Sequence, residues 1–365
     1  MNDGFAKPTF FRRLRNWIST HRTRTIIFIG IILIAAAGVT AYFLLSQKTP
    51  ALEALHLQAK PKPEPSAPVF YSPLTGVKVP DEASTKQPVT AIMIENSPDA
   101  RPQSGLKQAG IVYEAIAEGG ITRFLTLHQE DKPQLIGPVR SLRMYYVDWV
   151  APYNASVAHV GGSAAALAEI RSGKYRDIDQ FFNGASYWRA TDRYAPHNVY
   201  TSFAKLDALN AAKGYTSSTF TGFPRGDGKP VAKPTASTVT INFGGALYNT
   251  AYGYDPGSNT YYRSVGGKQH MDREEGQIHP SVVIAMKVNM HKVFEDGYRE
   301  DIDANSTGQA NLFQNGVMQE VTWTKPDRAS QITFKDVTTD KEVPLNRGQT
   351  WIAAVPNGVG SVSWQ

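Results

Sequence analysis

Six arginines, Arg101, Arg123, Arg140, Arg143, Arg189 and Arg193, stand in the first half of this chain where strands are predicted to stop or loops to turn. A guanidinium presents parallel N–H groups that match two oxygens of a phosphate or carboxylate, so arginines so placed suit the gripping of an anion. The plainer reading pairs them with Glu114, Glu118, Asp148 and Asp192 as salt bridges, and both readings stand at this point. Glu114 and Glu118 have the chemistry of an acid and base pair or of a cation site, although on an open sheet face they would only be solvated. His197 has the residue type of a general base, beside the commoner role of hydrogen-bonding its own loop, and Asn198 follows it as a polar ligand candidate. Gly161-Gly162-Ser163, ahead of a predicted helix, would offer bare N–H groups to an anion or serve as a turn with a Ser N-cap. His270-x-Asp272, with Glu274, Glu275 and His279, lacks the tight spacing of a ligand set and reads as a charged loop, so no metal site is assigned. No phosphate-binding glycine loop, dinucleotide fingerprint, nucleophile elbow or His-Glu-x-x-His motif is present.

The elements that must position these residues follow from pattern. Val89 to Glu95 reads as a buried strand, followed by the turn residues Asn96-Ser97-Pro98-Asp99. Ile111 to Glu118 and Ile121 to Gln129 read as a hairpin about Gly119-Gly120. A two-residue loop pairs Glu118 with Ile121 and Ile116 with Arg123, which puts Glu114, Glu118 and Arg123 on one face. Leu135 to Val139 is expected as a strand ending in Arg140, and Ser141 to Val150 as a helix capped by Ser141 with Arg143 in its first turn. A further short strand, Ser156 to Val160, leads through the glycines into the helix from Ala164, stopped by Gly173. The stretch 177–202, rich in aromatic, Arg and Asn residues, has no strong period, and long ordered loops of this kind tend to carry function. Ser202 then caps a helix from Phe203 to Lys213. Beyond a Gly/Pro/Lys-rich connection at 215–236 the pattern turns to strands, with Asn315-Gly316 as the clearest short hairpin signal. The fold class expected is an α/β N-terminal domain (72–214) and a mainly-β C-terminal domain (237–356), with 357–365 as a tail.

The chain holds 365 residues, no cysteine and a net charge of +6. The basic residues Lys7, Arg12, Arg13, Arg15, Arg22 and Arg24 face the single acid Asp3 before Thr25, so nearly all the excess charge lies there. A nearly neutral body excludes a phosphate-backbone binder, and no nucleic-acid partner is expected. The lack of cysteine excludes disulfides, thiolate metal sites, a cysteine nucleophile and a lipidated cysteine. Ile26 to Leu45 is an uncharged apolar run of the length a bilayer-crossing helix needs. The preceding arginines place the N-terminus, 1–25, in the cytoplasm, and continuation of the run to Leu45 favours an uncleaved anchor over a signal peptide. A Pro-rich tether, 46–71, then holds the globular part away from a single-pass membrane span.

On these residues the chain resembles the YerB-like lipoprotein family, bacterial proteins built on a paired domain of unknown function. The matching motifs run from Ala100-Arg101-Pro102-Gln103-Ser104-Gly105-Leu106 through Ile111-Val112-Tyr113-Glu114, Glu118-Gly119-Gly120-Ile121-Thr122-Arg123-Phe124 and Gly137-Pro138-Val139-Arg140-Ser141. They continue with His159-Val160-Gly161-Gly162-Ser163, Tyr187-Trp188-Arg189, Ala195-Pro196-His197-Asn198 and, later, Tyr262-Arg263, His270, Asp272, Trp323 and Trp351-Ile352. Two departures are a transmembrane anchor in place of the lipidated cysteine, and Gly110 where an acid usually precedes the Ile-Val-Tyr-Glu run. The resemblance implies location and architecture, not chemistry. The order of a strand ending in arginine, then a strand, Gly-Gly, a helix and Ile178-Asp179 also looks like the LytR-CpsA-Psr envelope enzymes. That similarity implies arginines on a polyprenyl pyrophosphate and acids on Mg²⁺, but Ser141 stands where those enzymes would place an aspartate, so Mg²⁺ follows only if a phosphotransfer reading holds. The leading expectation is an anchored envelope protein that binds, or transfers, an anionic glycan or lipid-linked phosphate through the arginines. The alternative is a non-catalytic wall-associated adaptor that binds a glycan or a protein.

Overall fold

The computed structural model describes residues 10–46, 68–293 and 298–365. The first nine residues and most of the expected tether, 47–67, lie outside the described residues. Two compact units form, Met1–Ala67 and Pro68–Gln365. In the first, α1 (Phe10–Thr20) is followed by α2 (Arg22–Ser46), which is long and apolar enough to cross a membrane.

In the second unit one ten-stranded sheet draws on both halves of the chain. The N-terminal half supplies β1 (Thr90–Glu95), β2 (Ile111–Glu118), β3 (Ile121–His128), β4 (Ser156–Ala158) and β5 (Arg176–Asp177). A separate five-stranded sheet contains β6 (Thr238–Asn242), β7 (Thr250–Asp255), β8 (Thr260–Val265), β9 (Lys268–Gln269) and the late strand β15 (Ser361–Trp364). The large sheet is completed by β10 (Val282–Val288), β11 (Thr307–Gln314), β12 (Val317–Thr324), β13 (Thr333–Asp336) and β14 (Thr350–Pro356). Its order is β13-β12-β11-β10-β14-β2-β3-β1-β4-β5. The halves join where β14 runs parallel to β2, with Thr350 opposite Ile111 and Ala353 opposite Glu114.

The first half is α/β and the second mainly β, yet they share a core because β2 is flanked by β14 and β3. On one face Tyr113, Leu125 and Leu127 pack with Tyr145, Tyr146 and Trp149 of α3 (Met144–Val150) and with Ala166 and Ile170 of α4 (Ala164–Ile170). On the other, Val112, Ile116 and Phe124 meet Val239, Ile241, Tyr252 and Tyr261 of the small sheet and Phe203 and Leu206 of α5 (Phe203–Ala212). Aromatic side chains are the largest members of each face, and Tyr113 stacks on Trp149 at 5.3 Å between ring centres.

Several local expectations meet corrections. The two expected hairpin turns use positive φ, at Gly119 and Gly120 and at Asn315 and Gly316, the backbone that a two-residue turn matching strand twist requires, and Gly266-Gly267 forms a further such turn that was not expected. Glu118 pairs with Ile121 as expected, but Ala115, not Ile116, opposes Arg123 because of a bulge at Ala117. One inserted residue reverses the face of everything before it, so Glu114 points away from Glu118 and Arg123. The helix expected from Ser141 starts at Met144, with Arg143 at the N-cap. The segment 357–365 is not a tail: Ser361–Trp364 pairs with Thr238–Asn242. The connection 215–236 is stitched to the body. Arg225 donates to the carbonyls of Leu74 and Asn346, and Arg225–Gly226 runs parallel to Leu345–Asn346.

Candidate functional site

Strand β1 is buried throughout and ends on Glu95, whose side chain is only 4% exposed, at the carboxyl end that it presents beside the parallel strand β4. Carboxyl ends of parallel strands are where open α/β sheets leave room for a ligand. Glu95 Oε1 accepts from Ser97 Oγ at 2.9 Å and from His197 Nδ1 at 2.9 Å, while Oε2 lies 3.1 Å from Arg140 Nε. Arg140 is held from behind: its N–H donates to Met93 O at 2.9 Å, and its carbonyl accepts from Val160 N–H at 3.1 Å. One buried carboxylate thus ion-pairs with an arginine at Nε, without hydrogen-bond alignment, and hydrogen-bonds a histidine at Nδ1.

Their outer nitrogens are uncommitted. Among the described residues the terminal nitrogens of Arg140 donate to no protein group, although a quarter of the side chain is exposed. The nearest carboxylate oxygen to His197 Nε2 is Asp99 Oδ2 at 4.0 Å, beyond hydrogen-bonding distance. With Nδ1–H directed at a carboxylate, Nε2 is the atom left to take or give a proton.

Three other predicted residues build the loop that carries His197. Arg193 donates to Asp99 O at 3.3 Å and Pro102 O at 2.5 Å. Arg189 donates to Asn198 Oδ1 at 2.7 Å, and Asn198 Nδ2 donates to the carbonyls of Ala190 and Arg193. Arg193 and the Asn198 amide are thus spent on backbone carbonyls, while Arg189, exposed, commits one terminal nitrogen to holding Asn198. On this loop Tyr194 stands in solvent at 92% exposure, and Phe181 and Phe182 are exposed in the preceding segment.

The second charged group lies at the hairpin end. Glu118 receives Arg123 Nη2 on one oxygen and Arg143 Nη2 on the other, each at 2.5 Å. The remaining terminal nitrogens go to Ser141 O and Leu142 O, at 3.0 and 2.8 Å. Burial raises the Glu118 carboxyl pKa, but the two guanidinium groups outweigh it and hold it below the usual range. This anion beside α3 is what lets a cation sit at a helix start. Arg143 and Ser163 line a cavity of about 370 Å³ with His291, Lys292 and Glu300.

The third group is sealed. Glu114 is fully buried and accepts from Arg263 Nη2 at 2.9 Å, Trp351 Nε1 at 2.9 Å and Thr122 Oγ1 at 3.1 Å. Arg263 lies 4.1 Å over the Trp351 ring, donates to His270 Nδ1 at 2.9 Å and contacts Tyr252 Oη. His270 Nε2 then donates to Gln103 Oε1 at 2.9 Å. Burial, and after it Arg263 and Arg101, push the His270 pKa well down, which suits a ring that accepts at Nδ1. Arg101 is engaged by Asn96 and by Leu247 O.

The six arginines therefore do not meet in one hollow, contrary to the expected clamp. Arg123 and Arg143 share Glu118, Arg140 sits on Glu95, and the others hold loops. The glycine turn is not bare either. Gly161 N–H donates to Asp179 Oδ1 at 3.2 Å and Ser163 N–H to Leu142 O at 3.1 Å, while Gly162 packs against Leu142. Of Glu114, Glu118 and His197, His197 keeps a proton-transfer atom free of protein partners. Among the described residues no three His, Asp or Glu side chains converge as metal ligands would, so no residue is assigned to Mg²⁺. Glu95 and Ser97 were missed by sequence reasoning. The usable signal was an acid closing a mostly apolar, wholly buried strand immediately before a turn.

The two domain models of the Protein of unknown function (DUF3048) family match in order, the N-terminal one over residues 74–216 and the C-terminal one over 239–352. The chain belongs to this family. YerB of Bacillus subtilis (strain 168), named as a lipoprotein, is 35% identical over 291 residues, which is 78% of this chain and 86% of that one. The crystal structure of the YerB protein from Bacillus subtilis superposes with a TM-score of 0.72 at 33% identity, covering 80% of this chain and 99% of that chain. A relative named as a lipoprotein and an apolar N-terminal helix together point to membrane anchoring. The space around Gly110 is closed to a side chain. A Cβ there would come within 2.7 Å of Thr75 and 2.8 Å of Leu74, so those side chains fill the space an acid would need.

Proposed function

We propose that this protein is a single-pass, membrane-tethered extracytoplasmic binding protein for an anionic glycan or lipid-linked phosphate, with its N-terminus in the cytoplasm. The contact is made by Arg140 and His197, not by a cluster of arginines. The observation that carries this reading is the arrangement on Glu95, which ion-pairs with Arg140 at Nε, hydrogen-bonds His197 at Nδ1 and leaves their outer nitrogens without a hydrogen-bonding protein partner. A preoriented guanidinium loses little freedom on binding and gives two parallel charge-assisted bonds to a phosphate or carboxylate. His197, oriented by Glu95, has the geometry of a general base if the bound group is also transferred.

The test is calorimetric titration of the full chain in nanodiscs with pyrophosphate and with a hexuronate oligosaccharide. Arg140→Gln should weaken the preferred ligand by at least about tenfold, the equivalent of ~1.4 kcal/mol. Binding unaffected by Arg140→Gln, or no heat from either ligand, sinks the proposal. The adaptor reading draws support from Phe181, Phe182 and Tyr194, exposed aromatics of the type enriched at protein interfaces. It gains if Phe181→Ala with Phe182→Ala removes a protein contact in the envelope while ligand titrations stay flat.

A further inference from the structure

Helix α1 has a division of faces that neither a targeting role nor the proposed ligand site requires. At about 100° per residue, Phe10, Phe11, Leu14, Trp17 and Ile18 fall within an arc of roughly 120°. Arg12, Arg13, Arg15, Asn16, Ser19 and Thr20 occupy the rest. No residue of α1 is buried, and Phe10 and Phe11 are 73% and 78% exposed. An apolar face carrying two phenylalanines and a tryptophan does not stay in water when the apolar run that starts at Ile26 follows within two turns of its end. Arg13 and Arg15 flank the apolar arc on its two sides, where long basic side chains reach past the hydrocarbon edge to the head groups.

The junction permits a turn. Ser19 Oγ and Thr20 Oγ1 both donate to Asn16 O, at 2.8 and 2.9 Å, and the Thr25 hydroxyl donates to His21 O at 3.1 Å. Side-chain hydroxyls that share backbone carbonyls loosen and bend a helix. The regular helix is interrupted at His21.

We propose that α1 lies in the plane of the membrane surface, its aromatic face in the head-group boundary and its arginine face binding anionic lipid head groups of the leaflet from which α2 departs. This rests on the membrane-tether reading. The charge supports an anionic over a neutral surface, because Arg12, Arg13, Arg15, Arg22 and Arg24 meet no acid between Phe10 and Ser46.

The chain has no cysteine, so single cysteines can be placed for spin labelling in the full protein. Leu14→Cys and Ile18→Cys report the apolar face, and Asn16→Cys and Ser19→Cys the polar face, in phosphatidylcholine vesicles with and without phosphatidylglycerol. Labels at 14 and 18 should be several-fold less accessible to a water-soluble relaxation agent than labels at 16 and 19. Phosphatidylglycerol should widen the gap, and Arg12→Gln with Arg13→Gln and Arg15→Gln should abolish that widening without releasing the protein from vesicles. Equal accessibility at all four positions overturns the proposal, as does label-to-label coupling at 14 and 18 that persists on lipid dilution, which would assign the face to a second copy. Vesicle flotation with intact-mass measurement separates the two readings. A chain that fails to float, or has lost its N-terminus, overturns both. One that floats intact without the accessibility pattern overturns this inference alone.

Discussion

At Glu114 and at Glu95 the molecule assembles the same three residue types, a carboxylate, an arginine and a histidine, and it treats them oppositely. The Glu114 group lies between the two sheets, with Arg263 reaching across from the small sheet and Trp351 alongside from the C-terminal half. All three members are at or below 1% exposure, and Arg263 meets an acceptor through each of its three nitrogens. At the Glu95 group the carboxylate is buried, but Arg140 and His197 keep their outer nitrogens toward solvent. Residue type is the same in both; what differs is whether a partner atom remains to be found. The interior group fixes how the halves meet, while the edge group is preoriented for something outside the protein. A buried ion pair is a poor source of net stability, but removing one partner strands the other, so the two groups should answer mutation very differently.

The sharpest break comes from Arg263→Met, which leaves Glu114 charged and unpaired in the interior. The expected loss is about 3–5 kcal/mol in urea unfolding, with partial recovery when Glu114→Gln is added. A loss below about 1 kcal/mol would put the interior group on a level with the edge one. Next is acid. Burial pushes the His128 pKa down to about 3 and pushes that of His270 down as well, so both stay neutral in the fold while the unfolded chain takes up protons below about 6.5. Stability should therefore fall as pH drops from about 6.5 toward 3, by about 1.4 kcal/mol per pH unit for each ring. His128→Gln should flatten the slope by one ring's share, measured by urea unfolding at pH 7 and pH 5. Glu118→Gln, which removes the anion between two buried arginines, should cost about 1–3 kcal/mol. Because its carboxyl pKa is lowered in the fold, this contribution is complete above the ordinary carboxylate range and is lost as pH falls from that range through the lowered folded-state value. Smallest in stability is Arg140→Gln, about 1 kcal/mol below the parent, because the buried Glu95 keeps Ser97 and His197 as partners. Its readout is ligand binding, and a large stability change there would erase the contrast between edge and interior.

Local chemistry was legible wherever it depended on neighbours in sequence. Gly119-Gly120 and Asn315-Gly316 marked two of the hairpins because positive φ is needed there whatever the surroundings. Ser202 marked a helix start, and its side chain accepts from Lys205 N–H. Register failed within a strand whose ends were correctly placed, because nothing in the residues around Ala117 announces an extra residue. That one insertion decided that Glu114 would face Arg263 rather than Arg123. The partnership spans 149 positions of sequence, and no spacing rule reaches so far.

By itself the sequence determined the apolar span, the family, the change from α/β to mainly β and the identities of the two hairpin turns. These follow from composition, period and backbone preference, which act over a few residues. Tertiary structure alone decided that both halves build one sheet, which arginines spend themselves on carbonyls, and that Glu95 orients Arg140 and His197. Those outcomes depend on which polar atoms are left without a partner once the chain has closed, and that is fixed by packing across the fold.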